Sequence, residues 1–227
     1  SASTMWSANA ATVSPAPDTQ DGTLHLTIAN LASSLHRSQE AAERYIQFQH
    51  IFGGIATVHT ALPACTPLAD EGAANHMRLS PTHGMAGIEL FIYGRDETSE
   101  TTPKRFPARQ TKRASAAIAR LHQLPEARFI LAQQHPAAID AGVFHNDVIA
   151  MSNGAVMIYH ELTFMDETAV LEELHRKANF PLHLIRISEN ELPISDAVSS
   201  YFFNSQLLTL PDGSMVVIAP SESQFNE

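Results

Sequence analysis

The chain has 227 residues, 44% hydrophobic and 17% charged, which is ample apolar material for a core and too little charge for a disordered segment. Its 24 acidic and 14 basic residues leave a net charge of −10, which argues against a nucleic-acid or anionic-membrane partner, and no apolar run of about 18 residues offers a bilayer span. A single cysteine forms no internal disulfide and points to the reducing cytoplasm.

In chain order, the first predicted strand is 24–28, followed by a weakly patterned helix at 40–48 and a strand at 55–59. Residues 61–70, with Pro63 and Pro67, read as a loop. A strand at 88–93 is followed by a loop at 98–107, rich in Thr, Pro and charge. A helix near 110–122 then carries Ala114, Ala117, Ile118 and Leu121 on one stripe, and a strand follows at 128–133. Two β-rich runs, 148–152 and 155–160, flank Asn153-Gly154, a strong hairpin-turn signal. A helix at 167–178, with Val170, Leu171, Leu174 and Ala178 at helical spacing, leads to a strand at 182–187. A last hairpin is expected at 206–210 and 214–219 around Pro211-Asp212-Gly213.

The order strand, strand, helix, strand thus recurs, with Asn9, Asn75, Asn146 and Asn204 near the start of each unit, spaced 66, 71 and 58 residues apart. That spacing predicts a repeated supersecondary unit; the alternative is an ordinary α/β domain whose elements alternate by chance. The first residues, Ser1-Ala2-Ser3-Thr4, offer neither a basic n-region nor an apolar h-region, so no signal peptide is expected. With no initiator Met and a stop just after a strand-like run, the chain is expected to be an internal fragment.

Two polar blocks stand out. Gly142-Val143-Phe144-His145-Asn146-Asp147 puts an imidazole and a carboxylate two residues apart before the apolar run Val148-Ile149-Ala150-Met151. If that run is a strand, His145 and Asp147 share a face, and together they can exchange protons and hold a cation. The second block is Asp70-Glu71-Gly72-Ala73-Ala74-Asn75-His76. Taken residue by residue, a lone histidine is more often structural. Glu71 reads as a helix-start acid, Asp147 as a solvated strand-edge or capping carboxylate, and Arg37 and Arg109 as surface ion-pair partners.

Together with Met5-Trp6-Ser7-Ala8-Asn9-Ala10-Ala11-Thr12, His36-Arg37-Ser38, Phe106-Pro107-Ala108-Arg109-Gln110-Thr111 and Phe203-Asn204-Ser205-Gln206-Leu207-Leu208, these blocks resemble the N-succinylarginine dihydrolases, a family of the guanidine-modifying penteins. The resemblance runs over essentially the whole chain, although the family's chains are about twice as long. It implies an α/β propeller of ββαβ modules around a pseudo-fivefold axis, of which 1–227 would be a single incomplete domain with three modules and part of a fourth.

By the same resemblance, His145 matches the histidine that protonates departing ammonia and then activates water, and Glu71 the catalytic carboxylate. Asp147 matches a guanidinium ligand, and Asn9, His36, Arg37 and Arg109 match substrate-binding positions. The implied ligand is N-succinylarginine, whose guanidinium and two carboxylates call for anionic groups at one end of the site and cationic groups at the other. No metal or organic cofactor is implied, and the family suggests a homodimer. Cys65 does not match the nucleophile segment, which the family carries in its carboxy-terminal part, so Cys65 is expected to be a small buried apolar residue. His76 is expected to be structural. An arginine deiminase or amidinotransferase relative, a zinc hydrolase using His135, His145 and Asp147, and an inactive substrate-binding fragment are the competing readings.

Overall fold

The computed structural model describes residues 9–224, so residues 5–8 of the Met5–Thr12 string lie outside it. The described chain is mixed α/β, built as three small three-stranded sheets and a final two-stranded one. β1 (Ala11–Ser14) pairs antiparallel with β2 (Leu24–Ile28), and the chain returns through a single helical turn, α1 (Leu35–Ser38), and the longer α2 (Ala41–Phe52) to β3 (Ala56–His59), parallel to β2. The second sheet repeats this with β4 (His76–Leu79), β5 (Ile88–Tyr93), α3 (Lys112–Leu121) and β6 (Phe129–Gln133). A short helix, α4 (Pro136–Asp140), precedes the third sheet: β7 (Ala150–Asn153), β8 (Val156–His160), α5 (Glu167–Lys177) and β9 (His183–Ile187). After α6 (Ile194–Ser200) comes an antiparallel pair, β10 (Gln206–Thr209) and β11 (Met215–Ile218).

Each parallel return needs a crossover helix, and local sequence starts those helices where they are needed. The Thr111 hydroxyl caps α3 by accepting the Ala114 N–H at 3.2 Å, and Asp166 caps α5 by accepting the Ala169 N–H at 3.0 Å. His175, Arg176 and Lys177 fall in the last turn of α5, where positive charge suits the helix dipole. β5, covered on both faces, is buried at every residue from Ile88 to Tyr93, which explains its unbroken apolar run apart from Glu89. Leu79, Ile88, Leu90 and Ile92 of the second unit share one core with Met157, Tyr159, Val170 and Leu174 of the third, so neighbouring units pack side by side.

The first and second units meet instead over polar groups. The Ser14 hydroxyl donates to Glu89 (2.6 Å) and therefore accepts from His122 Nδ1–H (2.6 Å), leaving His122 Nε2 to accept from Thr27 (2.7 Å). Burial, with the charges of neighbouring histidines, pushes the His122 pKa down to about 2, consistent with that neutral ring.

Two expectations shift. The hairpin loop after β7 is Gly154-Ala155 rather than Asn153-Gly154: Asn153 pairs with Val156, and Gly154 takes the positive φ (+55°) demanded at the first position of a mirror-image turn. The strand expected from Val148 begins only at Ala150, because Asn146–Val148 closes into a 3-10 turn. Strand alternation therefore does not relate His145 to Asp147. Similar turns, Gly72–Asn75 and Phe202–Asn204, lead into β4 and β10, and the Asn75 side-chain carbonyl accepts the Asn146 N–H at 2.9 Å.

Candidate active site

Glu71 and His145 each stand immediately before one of these turns. Since the turns lie against each other, two residues 74 apart in sequence meet: His145 Nε2 is 2.7 Å from Glu71 Oε2. Arg37 Nη1 donates to the same oxygen at 2.8 Å, and the Ser33 hydroxyl donates to Oε1. Glu71 is fully buried. Burial alone would raise its pKa, but the hydrogen bonds of His145 and Ser33 and the charges of His145 and Arg37 outweigh that and hold it at about 2. An ionised carboxylate only accepts, so Nε2 of His145 carries a proton and Nδ1 is the nitrogen left for proton exchange.

The carboxylate is fixed from behind. Gln110 accepts the Glu71 N–H at 2.6 Å and donates to Asp70 Oδ1 at 3.1 Å. Asp70 Oδ1 also accepts the Gly72 N–H (3.2 Å), while Oδ2 is buried without a partner. Burial, reinforced by the charge of Glu71, raises the Asp70 pKa to about 6. Asn30 accepts the Asp70 N–H at 3.0 Å and donates to the Leu68 carbonyl at 2.7 Å, tying the preceding loop to β2. Gly72 adopts φ +65°, and a Cβ there would overlap the Asn9 carbonyl oxygen, so only glycine lets the chain turn directly after Glu71.

The remaining expected residues divide between two cavities. One, of about 510 Å³, is lined by Arg109, Arg95, Phe106, Phe144, Ser33 and Cys65 among others. Arg109 stacks over the Phe144 ring at 4.4 Å. Burial lowers its pKa, with the Glu71 charge opposing and the Arg37 charge adding, so all three belong to one electrostatic group. The second cavity, about 690 Å³, is lined by Asn9, His76, Asp147 and Asn204 among others. Asp147 Oδ1 is buried without a partner; burial raises this carboxyl's pKa, and the His145 charge and a hydrogen bond from Asn204 oppose it. Glu71, His145 and Arg37 are therefore in direct contact, Arg109 is nearby, Asp147 and Asn9 face the other cavity, and His36 is exposed and lines neither.

Arg37 is buried, not a surface arginine, and its Nε and Nη2 have no partner. Cys65 is exposed rather than buried: it stands just before the short 3-10 turn Thr66–Leu68, which buries none of its residues, so the segment between Pro63 and Pro67 runs over the surface. His76 is held by Glu89 (3.0 Å) and packs on the Phe91 ring. His135 Nδ1 accepts the Ala137 N–H as the cap of α4, and no three His, Cys, Asp or Glu among the described residues are grouped to hold a metal ion. No helix of the described residues is long and apolar enough to cross a membrane. Asn30 and Gln110 went unassigned in the sequence, since nothing in a lone amide signals that it braces a distant backbone.

The sequence model of the family described as succinylarginine dihydrolase matches residues 1–227. The chain is 52% identical to the N-succinylarginine dihydrolase of Chromohalobacter salexigens over 230 residues, 51% to that of Idiomarina loihiensis over 232 and 50% to that of Legionella pneumophila strain Lens over 233. Each alignment takes in 100% of this chain and 52% of the relative, so the chain spans about half the length of the curated relatives it matches. Matched from its first residue to its last, and sharing half its positions with these relatives, the chain belongs to the succinylarginine dihydrolase family.

Proposed function

We propose that the full-length protein hydrolyses N2-succinyl-L-arginine with two waters to N2-succinylornithine, two ammonia and carbon dioxide. The observation that carries this reading is the 2.7 Å pairing of His145 with a buried Glu71 that also holds Arg37. The family's cysteine, in the carboxy-terminal part of the full-length protein, would attack the guanidinium carbon, and ammonia would leave with a proton from His145. His145 would then take a proton from the water that cleaves the covalent adduct, and a second cycle on the ureido product would release the remaining ammonia and carbon dioxide. Glu71 keeps the imidazole oriented and its Nε2 protonated, so that Nδ1 carries the exchanged proton.

The spare donors of Arg37 and the unpartnered Asp147 oxygen support the binding half of this proposal. Buried polar groups left unsatisfied cost roughly 1–3 kcal/mol each, which a ligand's carboxylate and guanidinium would recover. Asn9, His36 and Arg109 complete the proposed substrate contacts, with Arg109 and Arg37 on the anionic end. We carry as part of the same proposal a pentein propeller to which 1–227 contributes three ββαβ units and part of a fourth. A cytoplasmic homodimer without nucleic-acid partners, working without metal or organic cofactor, also belongs to it.

Ammonia release by the full-length protein, with N-succinylarginine and with free arginine, tests the activity. Faster release from the succinylated substrate is expected. Equal rates, or a preference for free arginine, would point to a deiminase-like relative instead.

A further inference from the structure

The 510 Å³ cavity is an island of positive charge in an acidic chain: Arg95 and Arg109 both line it, and no aspartate or glutamate among the described residues does. Arg109 has an aromatic partner but no ion pair among the described residues. Arg95 is likewise without a carboxylate; one N–H donates to the Thr66 carbonyl. Its sequence neighbours cannot neutralise it, because Asp96 is taken by Lys112 (2.7 Å) and Glu97 by Arg113 (2.5 Å). A guanidinium presents five donors in a planar fork, so most of the hydrogen-bonding capacity of Arg95 is left over for a ligand.

The backbone sets the separation of the two arginines. Arg95 N–H donates to the Gln110 carbonyl at 3.1 Å, and the Lys112 N–H donates back to the Arg95 carbonyl at 3.0 Å. Arg95 therefore lies bridged beside Thr111, two residues from Arg109, at the rigid start of α3. Arg109 is close enough to Glu71 for their charges to interact and holds the inner end of the cavity. Arg95, reaching the surface loop at Thr66, holds the outer end.

We propose that Arg95 is a specificity-determining residue that receives the distal succinyl carboxylate of the substrate, while Arg109 serves the inner end. The inference rests on the function proposed above and goes beyond it by naming the group that distinguishes a succinylated from an otherwise acylated arginine. Two fixed, unneutralised forks suit a ligand with two separated carboxylates.

The test compares full-length wild type, R95M and R95K. It measures kcat and KM for N-succinylarginine and the competitive inhibition constant of N-acetylarginine, which lacks the distal carboxylate. R95M is expected to raise KM about 10- to 100-fold with kcat nearly unchanged, while the N-acetylarginine constant stays at its wild-type value. R95K, keeping charge without the fork, is expected to fall between, and it decides the matter if R95M does not fold. An unchanged KM in the folded variants, or equal weakening of both ligands, overturns the assignment to Arg95 alone. Absence of N-succinylarginine turnover by the wild type overturns the underlying function and this inference with it.

Discussion

Replacing Arg37 by Met removes a full charge from beside Glu71 while nearly preserving volume. The carboxylate is fully buried, so it has no water to fall back on. Breaking a buried ion pair from one side costs about 3–5 kcal/mol. The fall of the Glu71 pKa from 4.5 to about 2 is, at about 1.4 kcal/mol per unit, a net preference for the ionised form of roughly 3 kcal/mol that survives the opposing effect of burial; the hydrogen bonds of His145 and Ser33 contribute more to it than the Arg37 charge does. R37M should therefore lower stability by about 3 kcal/mol, at the lower edge of the pair-breaking range because His145 and Ser33 stay in place. In a full-length protein about twice the length of this chain, that is a fall in Tm of roughly 3–6 °C. Removing both charges in R37M/E71Q leaves no uncompensated buried ion, so a double-mutant cycle should return about 2–3 kcal/mol of coupling. The sign with pH follows from the lowered pKa: the Glu71 contribution is complete above pH 4.5 and is lost as pH falls towards 2, a limb that E71Q should lack. Thermal and urea unfolding of the full-length variants measures all of this. An R37M protein within about 0.5 kcal/mol of wild type, or a strictly additive double mutant, would refute the reasoning.

Asp70 should behave in the opposite sense. Its pKa is raised from 3.8 to about 6, so the native state binds the proton more tightly across that window and stability falls as pH rises through it. The stability difference between D70N and wild type should accordingly change by roughly 3 kcal/mol between about pH 3 and about pH 7 and be flat above; a pH-independent difference would remove the raised pKa from the account. H145Q retains an amide donor towards Glu71 but no exchangeable ring proton, and should lose about 10²–10⁴-fold in ammonia release with its unfolding transition nearly in place. G72A forces a side chain into a left-handed φ and against the Asn9 carbonyl. A cost of about 1–3 kcal/mol, accompanied by a loss of activity larger than in an alanine variant of exposed Gly84, is expected from calorimetry and rate assays.

The strands were legible where burial imposes a simple pattern. The apolar run 88–93 and the hairpin around Gly154 are local signals, and the structure follows them to within a residue or two. The 3-10 turn at Asn146–Val148 was not, since Val148 and Ile149 look like strand residues and only tertiary packing, with Asn75 gripping the Asn146 N–H, closes the turn. Cys65 went astray for a related reason: composition says where a thiol usually sits, but the surface path of a proline-flanked loop overrides it. Burial of Arg37 was equally hidden, because the carboxylate that repays its desolvation lies 34 residues away.

The pairing of Glu71 with His145 is a property of the repeat more than of either segment. Each residue ends an irregular stretch just before a tight turn that delivers the first strand of its unit, and adjacent units pack so that these turns touch. Glu71 and His145, each just ahead of its turn, are brought together at the seam. A carboxylate in one unit and an imidazole in the next then come within 2.7 Å without any local motif linking them. The same geometry explains why the bracing residues are amides: Asn75, Gln110 and Asn30 each must satisfy a backbone group of a neighbouring segment without adding charge beside Glu71. An aspartate at 110 would set another anion against Glu71 and Asp70, pushing the Glu71 pKa upward and loosening its grip on His145. The electrostatic balance of the seam therefore depends on neutral amides bracing the adjacent buried carboxylates Asp70 and Glu71, as much as on the Arg37 and His145 contacts that Glu71 makes.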